Sequence, residues 1–412
     1  MSSVIPEGWK EYRIKDSALA GDRYSFTGGP FGSNLKSEDY TKSGIQIIQL
    51  QNIGDGIFKN RYQIFTSEEK ANELHSCNIY PGDIILSKMG DPVARATIIP
   101  DFSSRFLMAS DGIRLSVDKE KFDTKFIHDT INAPNFRAQA EINSTGSTRK
   151  RIGLTTLRKL VFVAPPLPEQ KKIATILTSI DEVIEKTQAQ IDKLKDLKTG
   201  MMQELLTQGI GHTEFKNSPV GRIPVGWLCS TVAKSCKIKN NLRKPISKVE
   251  REHIKGVYPY YGPTKAVDYI NEYRVEGEYT LIGEDGDHFI KFVTWAMTQY
   301  VTGKFNVNNH AHIIQGTEEC RTKWIYYYFM HRDITRSLTR QGASRYKLNK
   351  ASLEVLEMAV PTVQEQDRII EILDALLADI NTHEIKVEKL KNTKKALMQD
   401  LLTGKVRVNV ET

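Results

Sequence analysis

Cysteine is scarce in this 412-residue chain, and long hydrophobic runs are missing. The four cysteines, Cys77, Cys229, Cys236 and Cys320, form no Cys-x-x-Cys pair, and Cys229 and Cys236 stand seven residues apart. That spacing suggests neither a disulfide framework nor a zinc knuckle, so buried, reduced thiols are expected. No apolar stretch approaches the ~20 residues that cross a bilayer. Met1–Lys10 lack the basic-then-apolar pattern of a secretory signal. A cytoplasmic protein without membrane contact is therefore expected. There is no Gly-rich loop ending in Gly-Lys-Ser/Thr, which leaves ATP binding unsupported. Ala164-Pro165-Pro166-Leu167 has a double proline but lacks the preceding Asn or Asp that an adenine-methylating loop needs. Glu68-Glu69-Lys70 has an acid-acid-Lys look that charged helices produce freely. His310 and His312, two residues apart on a possible strand, find no third or fourth ligand at metal-binding spacing. No catalytic residue and no metal site are expected.

What is present is basic and duplicated. A chain this long exceeds one ordinary core, so two or more domains are expected. A hydrophobic content of 40% with 26% charged residues is that of a folded soluble protein. The net charge of +8 favours a polyanionic partner. Residues 165–207 hold six basic and seven acidic side chains, and 361–403 hold six and eight, so the remaining chain carries +11.

A shift of 196 places aligns 146–207 with 342–403 without a gap, and 20 of the 62 positions are identical. Gly146 falls on Gly342, Arg149 on Arg345, Pro165 on Pro361 and Glu169-Gln170 on Glu365-Gln366. Met202-Gln203 falls on Met398-Gln399, and Leu205-Leu206-Thr207 on Leu401-Leu402-Thr403. A second marker opens each copy: Ile5-Pro6-Glu7-Gly8-Trp9 matches Ile223-Pro224-Val225-Gly226-Trp227. Between the markers the two copies look unrelated. The frame is duplicated; what it frames is not.

The repeated part reads as helix. After Pro165-Pro166-Leu167-Pro168, apolar residues recur at alternating steps of three and four: Leu177, Ile180, Ile184, Ile191, Leu194, Met201 and Leu205. Thr187 and Lys198 fill the missing beats. The second copy places Leu373, Leu376, Ile380, Val387, Leu390, Leu397 and Leu401 on the same beats, with His383 and Lys394 as exceptions. This is a coiled-coil stripe. Prolines suit a helix entrance, and Gly209 and Gly404 stand where helices stop. A helix over 169–206 would be a rod of roughly 57 Å at ~1.5 Å per residue. Each stripe needs a partner; the other copy, antiparallel, supplies one, and an intermolecular pairing is the alternative.

The intervening segments read as mixed. Gln46–Leu50, Asp83–Ser87, Ala96–Ile99 and Ile113–Val117 look like strands and Phe126–Ile131 like a helix. In the second copy Tyr279–Gly283 and Phe289–Thr294 look like strands and Lys323–Met330 like a helix. The expected class is α+β: two globular mixed α/β domains, separated by two long antiparallel coiled-coil helices in a pseudo-two-fold repeat. The expected boundaries are 1–164, 165–208, 209–360 and 361–412, the last including a tail. Thr207–Gly221 reads as a hinge.

Gly28-Gly29-Pro30-Phe31-Gly32-Ser33-Asn34-Leu35-Lys36, then Gly44-Ile45, Gln51-Asn52-Ile53 and Gly82-Asp83-Ile84-Ile85-Leu86 with Gly90, resemble a target-recognition domain. The family is the specificity subunits of type I restriction-modification systems. Gly146-Ser147-Thr148-Arg149 and Ala164-Pro165-Pro166-Leu167-Pro168-Glu169-Gln170 continue the likeness. Tyr258-Pro259-Tyr260-Tyr261-Gly262, Gly283-Glu284-Asp285-Gly286 and Asn308-Asn309-His310-Ala311 look like another subtype of that domain. Pro361-Thr362-Val363-Gln364 departs from the double proline before Glu365-Gln366.

The resemblance implies a non-catalytic subunit whose two domains each read half of a split, asymmetric target in double-stranded DNA. It implies partners too: two modification subunits that bind S-adenosylmethionine and methylate adenine, and restriction subunits that form a separate motor-nuclease. S-adenosylmethionine, ATP and Mg would reside in those partners, with no cofactor in this chain. Two unlike domains on one repeated frame suit such a target, with centres roughly 34–36 Å apart, one DNA turn. A coiled-coil scaffold for proteins and a stand-alone DNA-binding regulator are the alternatives.

Candidate DNA contacts lie outside the helices. Arg149-Lys150-Arg151 and its counterpart Arg345-Tyr346-Lys347, with Arg336 and Arg340 upstream, suit phosphate gripping at matched positions. Sequence reading is expected from side chains that differ between copies: Lys88 and Arg95 in the first; Tyr261, Lys265, His288, Lys291, Asn308, Asn309 and His310 in the second. Gly28-Gly29 and Gly32 add a phosphate-binding turn, or a plain one, and Lys36 is a further candidate for DNA contact.

Overall fold

The computed structural model describes residues 5–147, 149–341 and 345–410, with the side chains of Gln341 and Arg345 outside that description. It divides into two compact units, Met1–Gln188 with Ile385–Thr412, and Ala189–Glu384. Each unit takes half of either long helix, Leu167–Leu205 and Val363–Leu401, which are 39 residues apiece.

The halves pair antiparallel within both units. In the first, Ile173 and Leu177 from the opening turns of one helix share a core with Leu397, Met398 and Leu401 from the closing turns of the other. In the second, Met202, Leu205 and Leu206 share a core with Ile369 and Leu373. The intramolecular pairing expected from the stripes is the one found. Leu177, Ile191, Leu205, Leu373, Leu376, Ile380, Val387 and Leu401 are buried; Ile180, Ile184, Leu194, Met201, Leu390 and Leu397 are half-buried. Asp181 pairs with Lys394 at 2.6 Å in the first unit, and Lys195 with Glu384 at 2.6 Å in the second.

The repeated Glu-Gln at each helix entrance has a physical cause. Gln366 is fully buried; its Nε2 donates to the Pro361 carbonyl (2.9 Å) and the Glu319 carbonyl (2.8 Å), and its Oε1 accepts from Arg321 N–H (2.8 Å). Gln170 does the same with Pro165, Lys121 and Asp123. One amide thus ties the helix entrance to the loop before a helix of the globular part, Thr124–Asn132 or Thr322–Met330. The neighbouring glutamates receive the chain returning from the other helix. Glu169 takes both arms of Arg407 at 2.8 Å; Glu365 accepts from Trp227 Nε1 (2.9 Å) and Ile210 N–H (3.0 Å). Gly209 has φ 68°, and a Cβ there would stand 2.3 Å from Glu365 Oε1 and 2.7 Å from the Trp227 ring. A helix C-terminal glycine is required at that place.

The opening marker is repeated in structure too. Lys10–Arg13 pairs with Val161–Ala164, and Leu228–Thr231 with Glu357–Val360, in the same antiparallel register. The first unit adds a four-stranded sheet in the order Phe26–Gly28, Gly112–Leu115, Ile84–Ser87, Ala96–Ile98. Its five-stranded sheet runs Tyr40–Thr41, Ile64–Thr66, Ile45–Ile48, Phe106–Met108, Asn78–Ile79. Ile84–Ser87 is buried throughout, as its unbroken apolar run requires. The second unit has one six-stranded sheet: Lys237–Ile238, Ala311–Gln315, Val275–Gly283, Thr298–Val307, Lys255–Tyr261, Ala266–Ile270.

Three expectations are corrected. Phe289–Thr294 is no strand: Asp287–Lys291 is a 3-10 turn, entered through Gly286 at φ 144° and followed by a turn on the Lys291 carbonyl. Only Phe289 of that apolar run is buried, while Ile290 and Val293 are exposed, so the run has no alternation to satisfy a sheet. Thr207–Gly221 is no free hinge either, since Ile210 and His212 hold Glu365 and Phe215–Ser218 forms a hairpin with Gly221–Pro224. Cys229 is exposed, as is Leu228 before it, in the opening half of a strand of a two-stranded ribbon; Cys77, Cys236 and Cys320 are buried, and all four are free.

Candidate nucleic-acid interface

In the first unit three loops meet where the strand Ile84–Ser87 ends. The Lys88 carbonyl accepts from Ile152 N–H (2.9 Å), Gly90 N–H donates to the Lys150 carbonyl (3.1 Å), and Met89 bridges Arg151. Lys88 N–H donates to the Asp111 carbonyl (2.7 Å), which brings in the turn at 109–111. This clasp holds five of the candidate cations on one small patch. Lys150 is paired with Glu141, and Arg151 with Asp111 at 2.6 Å. Among the described residues, Lys88 Nζ bonds the Ser110 carbonyl alone (3.2 Å) and the buried Nε of Arg95, which lies beside Gly90, has no hydrogen-bond partner; Arg149 is exposed. Gly29 is explained by packing, since a Cβ there would fall 1.9 Å from the Ala109 carbonyl oxygen. Lys36 is exposed on a separate turn, its N–H donating to Asp39 (2.8 Å).

The second unit repeats the clasp at the offset of 196. The Glu284 carbonyl accepts from Leu348 N–H (2.8 Å), Gly286 N–H donates to the Tyr346 carbonyl (3.2 Å), and Asp285 bridges Lys347. Glu284 N–H donates to the His310 carbonyl (2.8 Å), which takes the place of Asp111 although it lies three residues beyond that offset. Gly90 and Gly286 take φ 137° and 144°, which favour glycine. The frame therefore extends well beyond Gly146, into segments that read as unrelated. The signal was there: Gly90-Asp91 and Gly286-Asp287 stand 196 apart.

The side chains on this second clasp are engaged. Glu284 bonds Arg243 at 2.6 Å and Lys347 at 3.3 Å. Burial works against its carboxylate, yet Arg243 and Lys347 hold it below the ordinary glutamate range. His312 is fully buried, and burial pushes it toward the neutral form; its Nε2 lies 2.7 Å from the Leu348 carbonyl and its Nδ1 2.8 Å from Asn240 Nδ2. His310 bonds Asp285 (3.0 Å), and Lys291 pairs with Asp287. Arg340 lies over the Tyr346 ring at 5.3 Å. The side chain of Arg345 lies outside the described residues, as does Gly342. Arg243, the chief partner of Glu284, was not among the expected residues; nothing in the sequence marks it.

Tyr261, Lys265, Asn308, Asn309 and His310 gather at one end of the six-stranded sheet. Asn308 N–H donates to the Tyr261 carbonyl (3.0 Å), and Gly262 N–H to the Lys265 carbonyl (2.8 Å). Asn308, Asn309 and His310 line a cleft of about 290 Å³ with Ser247, Arg251 and Tyr260. His288 is withdrawn from the contact candidates: it is 3% exposed and packed against Gly283 and Gly286, where burial pulls it toward the neutral form. Among the described residues no group of three or more His, Cys, Asp or Glu is placed to hold a metal ion, and no helix is long and apolar enough to cross a membrane.

A backbone clasp repeated at a strand end in each unit, with unlike side chains on the two, makes this a protein built in duplicate that carries two different loop chemistries. The chain belongs to the family with the type I restriction modification DNA specificity domain, whose model matches residues 6–196 and 224–391. It is a specificity subunit, a recognition role without catalysis of its own. It is 25% identical over 422 residues to the putative type I restriction enzyme MjaX specificity subunit of Methanocaldococcus jannaschii, covering 98% of this chain and 95% of that one. A putative specificity subunit of Haemophilus influenzae, S.HindORF215P, is 37% identical over 141 residues, 34% of this chain and 35% of that one. The crystal structure of the type I S subunit from M. genitalium shares the fold, with a TM-score of 0.60 at 15% identity over 98% of this chain and 97% of that one.

Proposed function

We propose that this chain reads a split, asymmetric target in double-stranded DNA, one half per unit, as the specificity subunit of a type I restriction-modification complex in the cytoplasm. Two modification subunits assemble on it, and restriction subunits act through the complex. S-adenosylmethionine, ATP and magnesium ion belong to those partners. The observation that carries this reading is the clasp: its backbone is the same in both units, while its side chains run Lys88-Met89 in one and Glu284-Asp285 in the other. One docking geometry presented with two chemistries suits two unlike half-sites.

Reconstitution tests it. The full chain alone should bind DNA weakly and with strong salt dependence; with modification subunits it should select one bipartite sequence and methylate it, both units being required. A purified chain that methylates or cuts DNA unaided would contradict the reading. Binding without salt dependence would favour a coiled-coil scaffold instead.

A further inference from the structure

The two clasps share a backbone but not a charge balance. At one backbone position, the residue whose carbonyl accepts from Ile152 or Leu348, the first unit has Lys88 and the second Glu284. We propose that Lys88, Arg95 and Arg149 form a phosphate-gripping site for duplex DNA in the first unit, and that the matching place in the second unit is neutralised from within by Glu284. The proposal deepens the DNA-recognition reading and rests on it. It also departs from the symmetrical gripping that the matched basic residues suggested.

The first clasp carries cations with unmet bonding capacity. Among the described residues, Arg95 has no ion pair, and its buried Nε donates to nothing. The residue is only half-buried, so the outer nitrogens of its guanidinium, which have no acceptor among the described residues, can fork a phosphate. Arg95 also stands near Arg137, whose own pKa is pulled down to about 10 by burial first and by this like charge among lesser causes. Among the described residues no carboxylate meets Lys88, which bonds a main-chain carbonyl, or the exposed Arg149. Lys150 and Arg151 in the same loop are spoken for by Glu141 and Asp111, and Asp91 beside them is exposed.

The second clasp has carboxylates where the first has gaps. Glu284 holds both Arg243 and Lys347, Asp287 holds Lys291, and Asp285 holds His310. A phosphate approaching Arg243, Lys291 or Lys347 would have to displace a protein carboxylate. Arg340 adjoins this clasp, with its guanidinium on the Tyr346 ring and hydroxyl. Phosphate contact is thereby concentrated in one half, leaving the other to bind through its polar side chains Asn308, Asn309 and Tyr261.

Counterion release makes the difference measurable, because each phosphate contact adds roughly 0.9 to the slope of log K against log salt. The full chain is titrated with a random-sequence duplex between low and moderate KCl, its fold checked by tryptophan fluorescence. Substituting Lys88→Met, Arg95→Met and Arg149→Met together should flatten the slope by roughly 2–3. Lys291→Met with Lys347→Met, both held by carboxylates, should leave it as in the parent. Lys88→Glu alone, which copies the second unit's charge onto the first, should flatten it by at least about 1. A triple variant with the parent's slope, or second-unit variants that flatten it as much, overturns the proposal. A parent chain that fails to bind the duplex at the lowest salt defeats the DNA reading itself, and this proposal with it.

Discussion

Replacing Gln366 by alanine removes three hydrogen bonds from a place that water does not reach. Gln366 is fully buried and bonds the Pro361 and Glu319 carbonyls and the Arg321 N–H at 2.8–2.9 Å. A typical hydrogen bond contributes about 1 kcal/mol net, and a buried group left unpaired costs about 1–3 kcal/mol. Losing all three should destabilise the second unit by roughly 3–5 kcal/mol. Gln366→Glu separates hydrogen bonding from volume. One carboxylate oxygen can still accept from Arg321, but the other would face two carbonyl oxygens. The acid must keep its proton, so its folded pKa lies above the unfolded value of ~4.3. A group with a raised folded pKa gives stability that is fully present below the unfolded value and lost as pH rises through the folded one. The Glu variant should therefore approach the parent near pH 4 and fall behind by up to ~1.4 kcal/mol per pH unit above that. Urea unfolding followed by tryptophan fluorescence reads this directly, since Trp227, Trp295 and Trp324 lie in the second unit and only Trp9 in the first. An alanine variant costing under about 1 kcal/mol, or a Glu variant equally stable at pH 4.5 and 8, would refute the role assigned to this amide.

Lys198 and Lys394 occupy the same stripe position, but Lys394 pairs with Asp181, whereas burial and the nearby Lys195 push the Lys198 pKa down. A depressed lysine pKa means stability is lost as pH falls through the unfolded value near ~10.4, so the cost is present in full at neutral pH. Lys198→Leu should raise stability by about 1 kcal/mol at pH 7, and Lys394→Leu should not; thermal melts compare them. A thiol reagent should modify one cysteine of the native chain quickly, Cys229, because the other three are buried; burial raises the Cys77 thiol, and the Cys320 contact with burial raises Cys236. Mass spectrometry of the labelled peptide would show a different site if that exposure were wrong. Arg137→Met should cost the first unit about 3 kcal/mol in urea melts, since this buried residue's guanidinium bonds Asp55 (2.6 Å), the Val93 carbonyl (3.0 Å) and Asn132. An unchanged midpoint would show those contacts to be idle.

The long helices were legible because a three-four stripe over about eight turns and a proline entrance admit little else. Strands buried on both faces, such as Ile84–Ser87, were legible as apolar runs. Thr298–Val307 was not, since Thr302, Gly303 and Lys304 are exposed in mid-strand and break the alternation that marks one. Phe289–Thr294 carried a strand's composition without its period, and the left-handed Gly286 before it set a turn. The candidate contacts fared according to burial, which composition does not report. His288 and Asn308 are both polar residues beside glycine-rich loops, yet one is shut into the core and the other lines a cleft. The clasp was missed for another reason. Its likeness resides in main-chain bonds, and Lys88 and Glu284 could hardly differ more as letters.

Mapping methylated adenines across the genome of cells that carry this chain tests the central claim most directly. The sequence between the repeated markers of the first unit, residues 15–144, is exchanged for the matching segment of a relative. One half of a bipartite methylation motif should change while the other half stays as it was. A motif that changes in both halves, or methylation that is indifferent to the exchange, would contradict a division of reading between the two units.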